Sequence, residues 1–130
     1  MKTQQQGFTL VELMITVAIV AVVMGIAIPS YQGYIRDTQA AQAASDLKAC
    51  AMTLERFYSR GFTYAGADTA GAGGAPLCNT QSPTEGETAY NISMETLNAT
   101  SFLIRATPVG ETCGTGNCIE LDQTGDQTLN

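Results

Sequence analysis

The chain opens with a short polar segment and then becomes almost uniformly apolar. Residues 1–7 carry Lys2 and three glutamines, whereas from Phe8 to Ile28 the only charged side chain is Glu12. A helix of about 20 residues spans about 30 Å, which matches the hydrocarbon thickness of a bilayer. This pattern predicts a membrane-spanning helix with its basic flank on the cytoplasmic side.

Beyond Pro29 the pattern changes from apolar to amphipathic. Pro29 is expected to kink the helix, because proline removes one backbone hydrogen bond. Apolar or small residues then recur at the spacing of one helix face: Ala40, Ala43, Ala44, Leu47, Cys50, Ala51, Leu54, Phe57 and Tyr58. Gly61 is expected to end the helix. The sequence predicts one helix, apolar over residues 8–29 and amphipathic over residues 30–60.

Residues 61–130 show the pattern of a small head domain. The stretch from Gly61 to Glu87 is rich in Gly, Ala, Thr and Pro without periodicity, which predicts an irregular connecting loop. Alternation of apolar and polar positions then predicts strands at Ala89 to Glu95, Ser101 to Val109 and Cys118 to Gln123. The simplest topology is an antiparallel meander of three to four strands with a C-terminal tail. The predicted fold class is therefore α+β, a long helix packed on a small antiparallel sheet.

Glu12 is the residue that a simple membrane anchor does not explain. A carboxylate inside a membrane helix costs about 2–3 kcal/mol without a partner, and residues 8–28 contain no cation. A cut between Gly7 and Phe8 would create an amino group at Phe8 that could neutralise Glu12 of a neighbouring subunit. The alternative is an uncleaved signal anchor, because no convincing small-residue cleavage site follows the apolar run.

The segment Gly7-Phe8-Thr9-Leu10-Val11-Glu12, followed by an apolar run and Ile28-Pro29-Ser30-Tyr31, resembles the class III leader and N-terminal helix of type IV pilins. Later stretches are most similar to minor pilins of the PilE type: Leu54 to Ser59, Phe62-Thr63-Tyr64 and Tyr90-Asn91-Ile92. Many pilins have a glycine where this chain has Ala21, and here a glycine stands at Gly25 instead. The resemblance implies the pilin fold.

The resemblance also implies how the chain is processed and assembled. A prepilin peptidase would remove leader residues 1–7 by cutting after Gly7 and would methylate Phe8. Glu12, Thr9 and Pro29 would serve assembly. The implied partners are other pilins, in homo- and hetero-oligomers, the peptidase and an inner-membrane assembly platform. The head would lie in the periplasm before assembly and on the cell-surface pilus afterwards, in a fibre that supports twitching motility, adhesion or DNA uptake.

Composition narrows the function further. The net charge is −6 and histidine is absent, so most acid–base relays and His-bearing metal sites are excluded. We predict no catalytic residue, no cofactor and no enzyme activity. Five basic residues form no run, so the sequence indicates no nucleic-acid patch: Arg36, Lys48, Arg56, Arg60 and Arg105.

Two other functions stay open at this point. A DNA- or surface-binding receptor pilin would need a basic or aromatic cluster in the head, which folding could gather from separate positions. A type II secretion pseudopilin shares the N-terminal logic, but four cysteines count against its major form. The function that we predict first is a structural subunit of a type IV pilus, of the minor class.

The four cysteines predict disulfides in an exported head of this size. The favoured pairs are Cys50–Cys78, which ties the helix to its following loop, and Cys113–Cys118, which closes a glycine-containing turn. The pairing Cys50–Cys118 with Cys78–Cys113 stays open. A zinc site is disfavoured because no C-x-x-C pair is present. The acidic residues Glu120, Asp122 and Asp126 fit no calcium loop of EF type, so we predict no metal site.

Overall fold

The computed structural model describes residues 7–114 and 116–129. Apart from Gly7, the predicted leader lies outside the described residues. The helix α1, Leu10–Gly61, continues through Pro29 and ends where the sequence predicted. Two compact units divide the chain after Arg36.

The first unit is the apolar part of α1. Every described residue from Gly7 to Arg36 is exposed, including large side chains such as Leu13, which is 60% exposed, and Ile26, which is 72% exposed. Within the described residues, α1 is the one helix that is long and apolar enough to cross a membrane, and none of its most apolar window is buried. Exposed apolar surface of this extent requires lipid or other protein to cover it.

The second unit, Asp37–Asn130, contains the C-terminal half of α1 and a five-stranded antiparallel sheet. Its strands are β1 Gln81–Ser82, β2 Tyr90–Leu97, β3 Phe102–Pro108, β4 Ile119–Asp122 and β5 Gln127–Leu129. Each strand pairs with the next along the chain, so the sheet is a meander in the order β1 to β5. The predicted α+β class and the meander topology are confirmed.

The sheet has five strands, where the sequence predicted three to four. The extra strand β1 lies within the stretch that was expected to be irregular, and β5 lies in the predicted tail. The same stretch also contains a short 3-10 turn, Ala72–Gly74. Strands of two and three residues are too short to show an alternation of apolar and polar positions. Backbone pairing with β2 and β4 defines them instead.

The core of the second unit lies between one face of α1 and the inner face of the sheet. Alternate residues of β3, namely Phe102, Ile104 and Ala106, are buried, as the strand pattern predicted. The buried apolar residues form a single cluster: Ala43, Leu47, Cys50, Leu54, Tyr64, Ala67, Cys78, Ile92, Phe102, Ile104, Ala106, Ile119 and Leu121. Burial of a leucine such as Leu54 contributes about 2–3 kcal/mol.

Two disulfides close loops of different length. Cys50 bonds Cys78 with their Cα atoms 5.1 Å apart, and Cys113 bonds Cys118 with their Cα atoms 5.4 Å apart. The first links the buried face of α1 to the loop before β1 across a separation of 28 residues. Loop closure of that length removes about 3–4 kcal/mol of chain entropy from the unfolded state, whereas the short second loop removes about 2 kcal/mol.

A charged network joins three strands on the outer face of the sheet. Arg105 of β3 donates from Nε to Glu120 Oε1 at 2.7 Å, and its Nη2 lies 2.6 Å from the same oxygen. Its Nη1 lies 3.1 Å from Glu95 Oε2, where a bulge interrupts β2 between Met94 and Thr96. Glu120 is 9% exposed. A buried carboxylate is costly without a partner, and Arg105 supplies the positive charge beside Glu120. Through Glu95 and Glu120, Arg105 links β3 to both β2 and β4.

We predict that Arg105→Ala lowers the free energy of unfolding by about 2–3 kcal/mol, because it removes the positive charge that lies against the buried carboxylate of Glu120. In that background, Glu120→Val should recover much of the loss. Chemical denaturation of the full chain in detergent measures both effects. The matched control is Lys48→Ala, an exposed cation with no salt bridge among the described residues, which should change stability by about 0.5 kcal/mol or less. Equal effects at Arg105 and Lys48 would contradict the assigned network.

Candidate assembly and ligand-contacting surfaces

The start of α1 is fixed by a threonine cap. The hydroxyl oxygen of Thr9 accepts a hydrogen bond from the backbone N–H of Glu12 at 3.2 Å, and the Thr9 carbonyl accepts one from the N–H of Leu13 at 3.2 Å. Thr9 is therefore the N-cap, and Glu12 occupies the third helical position. Threonine and glutamate at this spacing are the residues of a capping box. The signal is present in the sequence as Thr9 followed three residues later by Glu12.

The five residues that were predicted to serve processing and assembly lie just before α1 or within its apolar part. Gly7 and Phe8 precede the helix, Thr9 caps it, Glu12 lies in its first turn and Pro29 lies within it. Phe8 is 81% exposed. A negative charge in the first turn interacts favourably with the helix dipole. Glu12 makes no salt bridge anywhere in the part of the chain that the structure describes.

In the second unit, three cations share the outward face of α1. Lys48, Arg56 and Arg60 are all exposed, whereas residues such as Leu47 and Leu54 are buried on the opposite side. At 100° and 1.5 Å per residue, the three positions fall within an arc of about 120° and a rise of about 18 Å. Folding thus gathers three charges that are scattered in sequence.

Arg105, the fourth cation of this unit, is already paired with carboxylates, and the unit as a whole is acidic. Arg105 is held by Glu95 and Glu120. Residues 37–130 carry eleven acidic and four basic side chains, a net charge of −7. Any attraction for an anion must therefore act locally, at the face of α1 that carries Lys48, Arg56 and Arg60.

A row of aromatic rings runs from the core to the surface at the C-terminal end of α1. Phe102 meets Tyr64 edge to face with ring centroids 5.0 Å apart, and Tyr64 stacks on Tyr58 at 4.6 Å. Tyr58 then meets Phe62 edge to face at 6.2 Å. Phe102 is buried, whereas Phe62 is 76% exposed. The row supports an aromatic ring that points away from the core.

The backbone at Phe62 is in the left-handed region. Its φ is +53°, and no other described residue except glycine has a positive φ. The N–H of Phe62 donates to the carbonyl of Tyr58 at 2.6 Å, which closes the end of the helix. Glycine is the usual residue at such a helix end, and any other residue costs about 1–2 kcal/mol there. The sequence predicted the stop at Gly61, one residue before the strained position.

Tyr64 is held from both sides. Its hydroxyl donates to Glu55 Oε1 at 2.7 Å, and its ring is buried at 4% exposure. Burial, together with the hydrogen bond and the negative charge of Glu55, raises the pKa of Tyr64 to about 12. The hydrogen bond to Tyr64 therefore connects Glu55 to the row of aromatic rings.

The acidic residues considered as calcium ligands have other partners. Asp122 Oδ1 accepts hydrogen bonds from the Thr124 hydroxyl at 2.5 Å and from the backbone N–H groups of Thr124 and Asp126. These bonds, led by the Thr124 hydroxyl, lower the pKa of Asp122. Glu120 is held by Arg105. Within the described ranges, no group of three or more His, Cys, Asp or Glu side chains is arranged to hold a metal.

Comparisons with known proteins agree with this architecture. The family described as type IV minor pilin ComP, DNA uptake sequence receptor, matches residues 29–122, and the prokaryotic N-terminal methylation motif matches residues 2–28. The chain therefore belongs to the type IV minor pilins of the ComP family. The resemblance seen in the sequence is confirmed. That family is a family of structural pilins rather than of enzymes.

Individual relatives match shorter segments. The type IV major fimbrial protein FimA of Dichelobacter nodosus is 52% identical over 46 residues, which are 35% of this chain and 30% of that protein. A fimbrial protein of Pseudomonas aeruginosa is 49% identical over 51 residues, which are 39% of this chain and 33% of that protein. The matched segments thus span about a third of the length of these relatives.

A solved structure shares the fold. The non-core minor pilin PilV of Neisseria meningitidis superposes with a TM-score of 0.54 at 19% identity, covering 75% of this chain and 88% of that one.

We predict that Glu55→Gln lowers the pKa of Tyr64 from about 12 toward the ordinary value of about 10, because the negative charge is lost while burial remains. A pH titration of the phenolate ultraviolet absorbance measures it, and Tyr64→Phe identifies the transition among the five tyrosines. The folded state binds this proton more tightly than the unfolded chain. The stability that it contributes is complete below pH 10 and is lost as pH rises toward about 12. An unchanged midpoint in Glu55→Gln would contradict the assigned contact.

Proposed function

We propose that this minor pilin is assembled into a type IV pilus through its N-terminal helix and presents its head as a receptor for DNA. The single observation that carries the receptor role is the gathering of Lys48, Arg56 and Arg60 on one exposed face of α1. A receptor needs such a cluster, and the sequence alone did not display it. The description of the matching family as a DNA uptake sequence receptor supports the same role.

Processing precedes assembly in this proposal. A prepilin peptidase cuts after Gly7 on the cytoplasmic side, and the new amino group of Phe8 is methylated. The match to the methylation motif over residues 2–28 supports this step. Before assembly, the apolar part of α1 lies in the inner membrane with the head in the periplasm, and afterwards the head lies on the surface fibre.

Glu12 then selects the position of the subunit. Its carboxylate pairs with the Phe8 amine of a neighbouring pilin, which removes the cost of an isolated charge in an apolar environment. The exposure of the whole apolar segment supports packing against other pilin helices. The immediate partners are other pilins, the peptidase and an inner-membrane assembly platform.

DNA contact in this proposal is electrostatic at the helix face. Lysine and arginine side chains neutralise phosphates and release counterions, which favours binding. Because the three cations are few and the head is otherwise acidic, the salt dependence of binding should be shallow, with a slope no steeper than about −3. Whole-fibre motility and adhesion depend on the remaining subunits.

We predict that Glu12→Gln reduces incorporation into fibres several-fold while membrane levels of the chain stay normal. Glutamine keeps a side chain suited to the capping box but lacks the charge. Thr16→Val is the matched control, because it removes a hydroxyl from the same apolar segment and keeps the carboxylate of Glu12. Immunoblots of sheared fibres and of membranes measure both pools. Normal piliation by Glu12→Gln, or equal defects in both variants, would contradict charge pairing.

We predict that changing Lys48, Arg56 and Arg60 together to glutamine weakens DNA binding and flattens its salt dependence by about 2–3 in the slope of log K against log salt. Electrophoretic mobility shift with the full chain in detergent, at several salt concentrations, measures it. Arg36→Gln, a charge removed outside the second unit, is the control. An unchanged affinity and slope in the triple variant would contradict the receptor role of this face.

A further inference from the structure

We propose that Phe62 is a base-contacting residue of the head, with Arg60 and Arg56 holding the adjacent phosphates. This inference rests on the proposed DNA-receptor function and locates its site at the C-terminal end of α1. Three observations converge there: an exposed aromatic ring, two exposed cations and a strained backbone.

Folding gains little from a phenylalanine at position 62. The side chain is 76% exposed, so it contributes little burial, and its left-handed backbone would suit glycine better. Its ring meets that of Tyr58 edge to face, with the centroids 6.2 Å apart. Through Tyr58 and Tyr64 the ring is linked to the buried Phe102. The phenylalanine ring is therefore exposed to solvent and is supported by the aromatic rings beneath it. Its left-handed backbone lowers the stability of the fold.

The two arginines favour an anionic partner. Arg56 and Arg60 lie four residues apart on one helix, where like charges repel each other. The helix dipole offsets part of this repulsion, because Arg60 lies in the last turn. A phosphate between or beside them would remove the rest. Both side chains are exposed and make no salt bridge among the residues that the structure describes.

The flanks of the helix limit where DNA can lie. An open groove of about 400 Å³ is lined by Arg56 and also by the acidic residues Glu55 and Asp122, whose negative charges disfavour a phosphate on that side. The helix end at Arg60 and Phe62 lies outside this groove. Contact with DNA is therefore expected at the end of α1.

Charge alone is a weak basis for affinity in this head. The unit carries a net charge of −7, and three cations can neutralise at most three phosphates. Stacking of a base on an aromatic ring is insensitive to salt and typically contributes a further five- to one-hundred-fold in affinity. Aromatic and apolar side chains also insert between base steps of duplex DNA. Phe62 supplies the contact that the charges cannot.

The absence of tryptophan from the chain gives a direct test. Phe62→Trp places a single indole at the proposed contact, and Val109→Trp places one at another exposed apolar position, 52% exposed, as the control. The full chain in detergent is titrated with fragmented chromosomal DNA of the organism that encodes it, both duplex and heat-denatured. We expect quenching of the indole at position 62 and little change at position 109. Quenching by denatured DNA alone assigns the ring to unpaired bases, whereas quenching by duplex assigns it to a base step.

A second variant separates contact from folding. Phe62→Gly suits the left-handed backbone, so thermal stability should be kept or raised, while DNA affinity should fall about ten-fold. Unchanged affinity in Phe62→Gly, or equal quenching at positions 62 and 109, would overturn the inference. If that variant instead loses fibre incorporation with DNA binding intact, Phe62 is a subunit contact and the inference is also overturned. Failure of the unaltered chain to bind DNA at all would instead overturn the receptor function itself.

Discussion

The apolar first half of α1, which none of the described residues buries, is the constraint on which the rest of this protein depends. Side chains from Phe8 to Ile28 are exposed, and Glu12 is the one charge among them. Water cannot solvate that surface favourably, so lipid or other protein must cover it. The threonine cap and the favourable dipole at the helix start stabilise the carboxylate locally. They do not supply a counter-charge, and Glu12 makes no salt bridge with any residue that the structure describes.

The second unit is stabilised by its own core, and it contains few basic side chains. Its core is closed by one face of α1, by alternate residues of β3 and by the Cys50–Cys78 bond. Arg105 is paired with two carboxylates and thereby joins three strands. The cations that stay free lie on the outward face of α1, and the strained Phe62 stands at its end. The buried core residues and the exposed cations thus lie on opposite faces of one helix.

Much of this architecture could be predicted from sequence, because long periodic segments encode their own structure. The uninterrupted apolar run, the amphipathic spacing around Leu47 and the alternation of β3 all reappear in the fold. The short strands β1 and β5 could not be predicted, since two or three residues carry no period. The cluster of cations on α1 was not recognised from the sequence, because residues 48, 56 and 60 are separated along the chain and share one face only in a helix. The left-handed Phe62 was hidden because glycine, the usual signal, stands one position earlier.

Mass spectrometry of the chain recovered from sheared fibres is the sharpest test of the proposed pairing between Glu12 and the Phe8 amine of a neighbour. We expect the fibre-borne chain to begin at Phe8, to carry one added methyl group on that residue and to lack residues 1–7. If the chain enters fibres with residues 1–7 still attached, the pairing is ruled out, because no free amine would then exist at Phe8 to meet Glu12 of a neighbour.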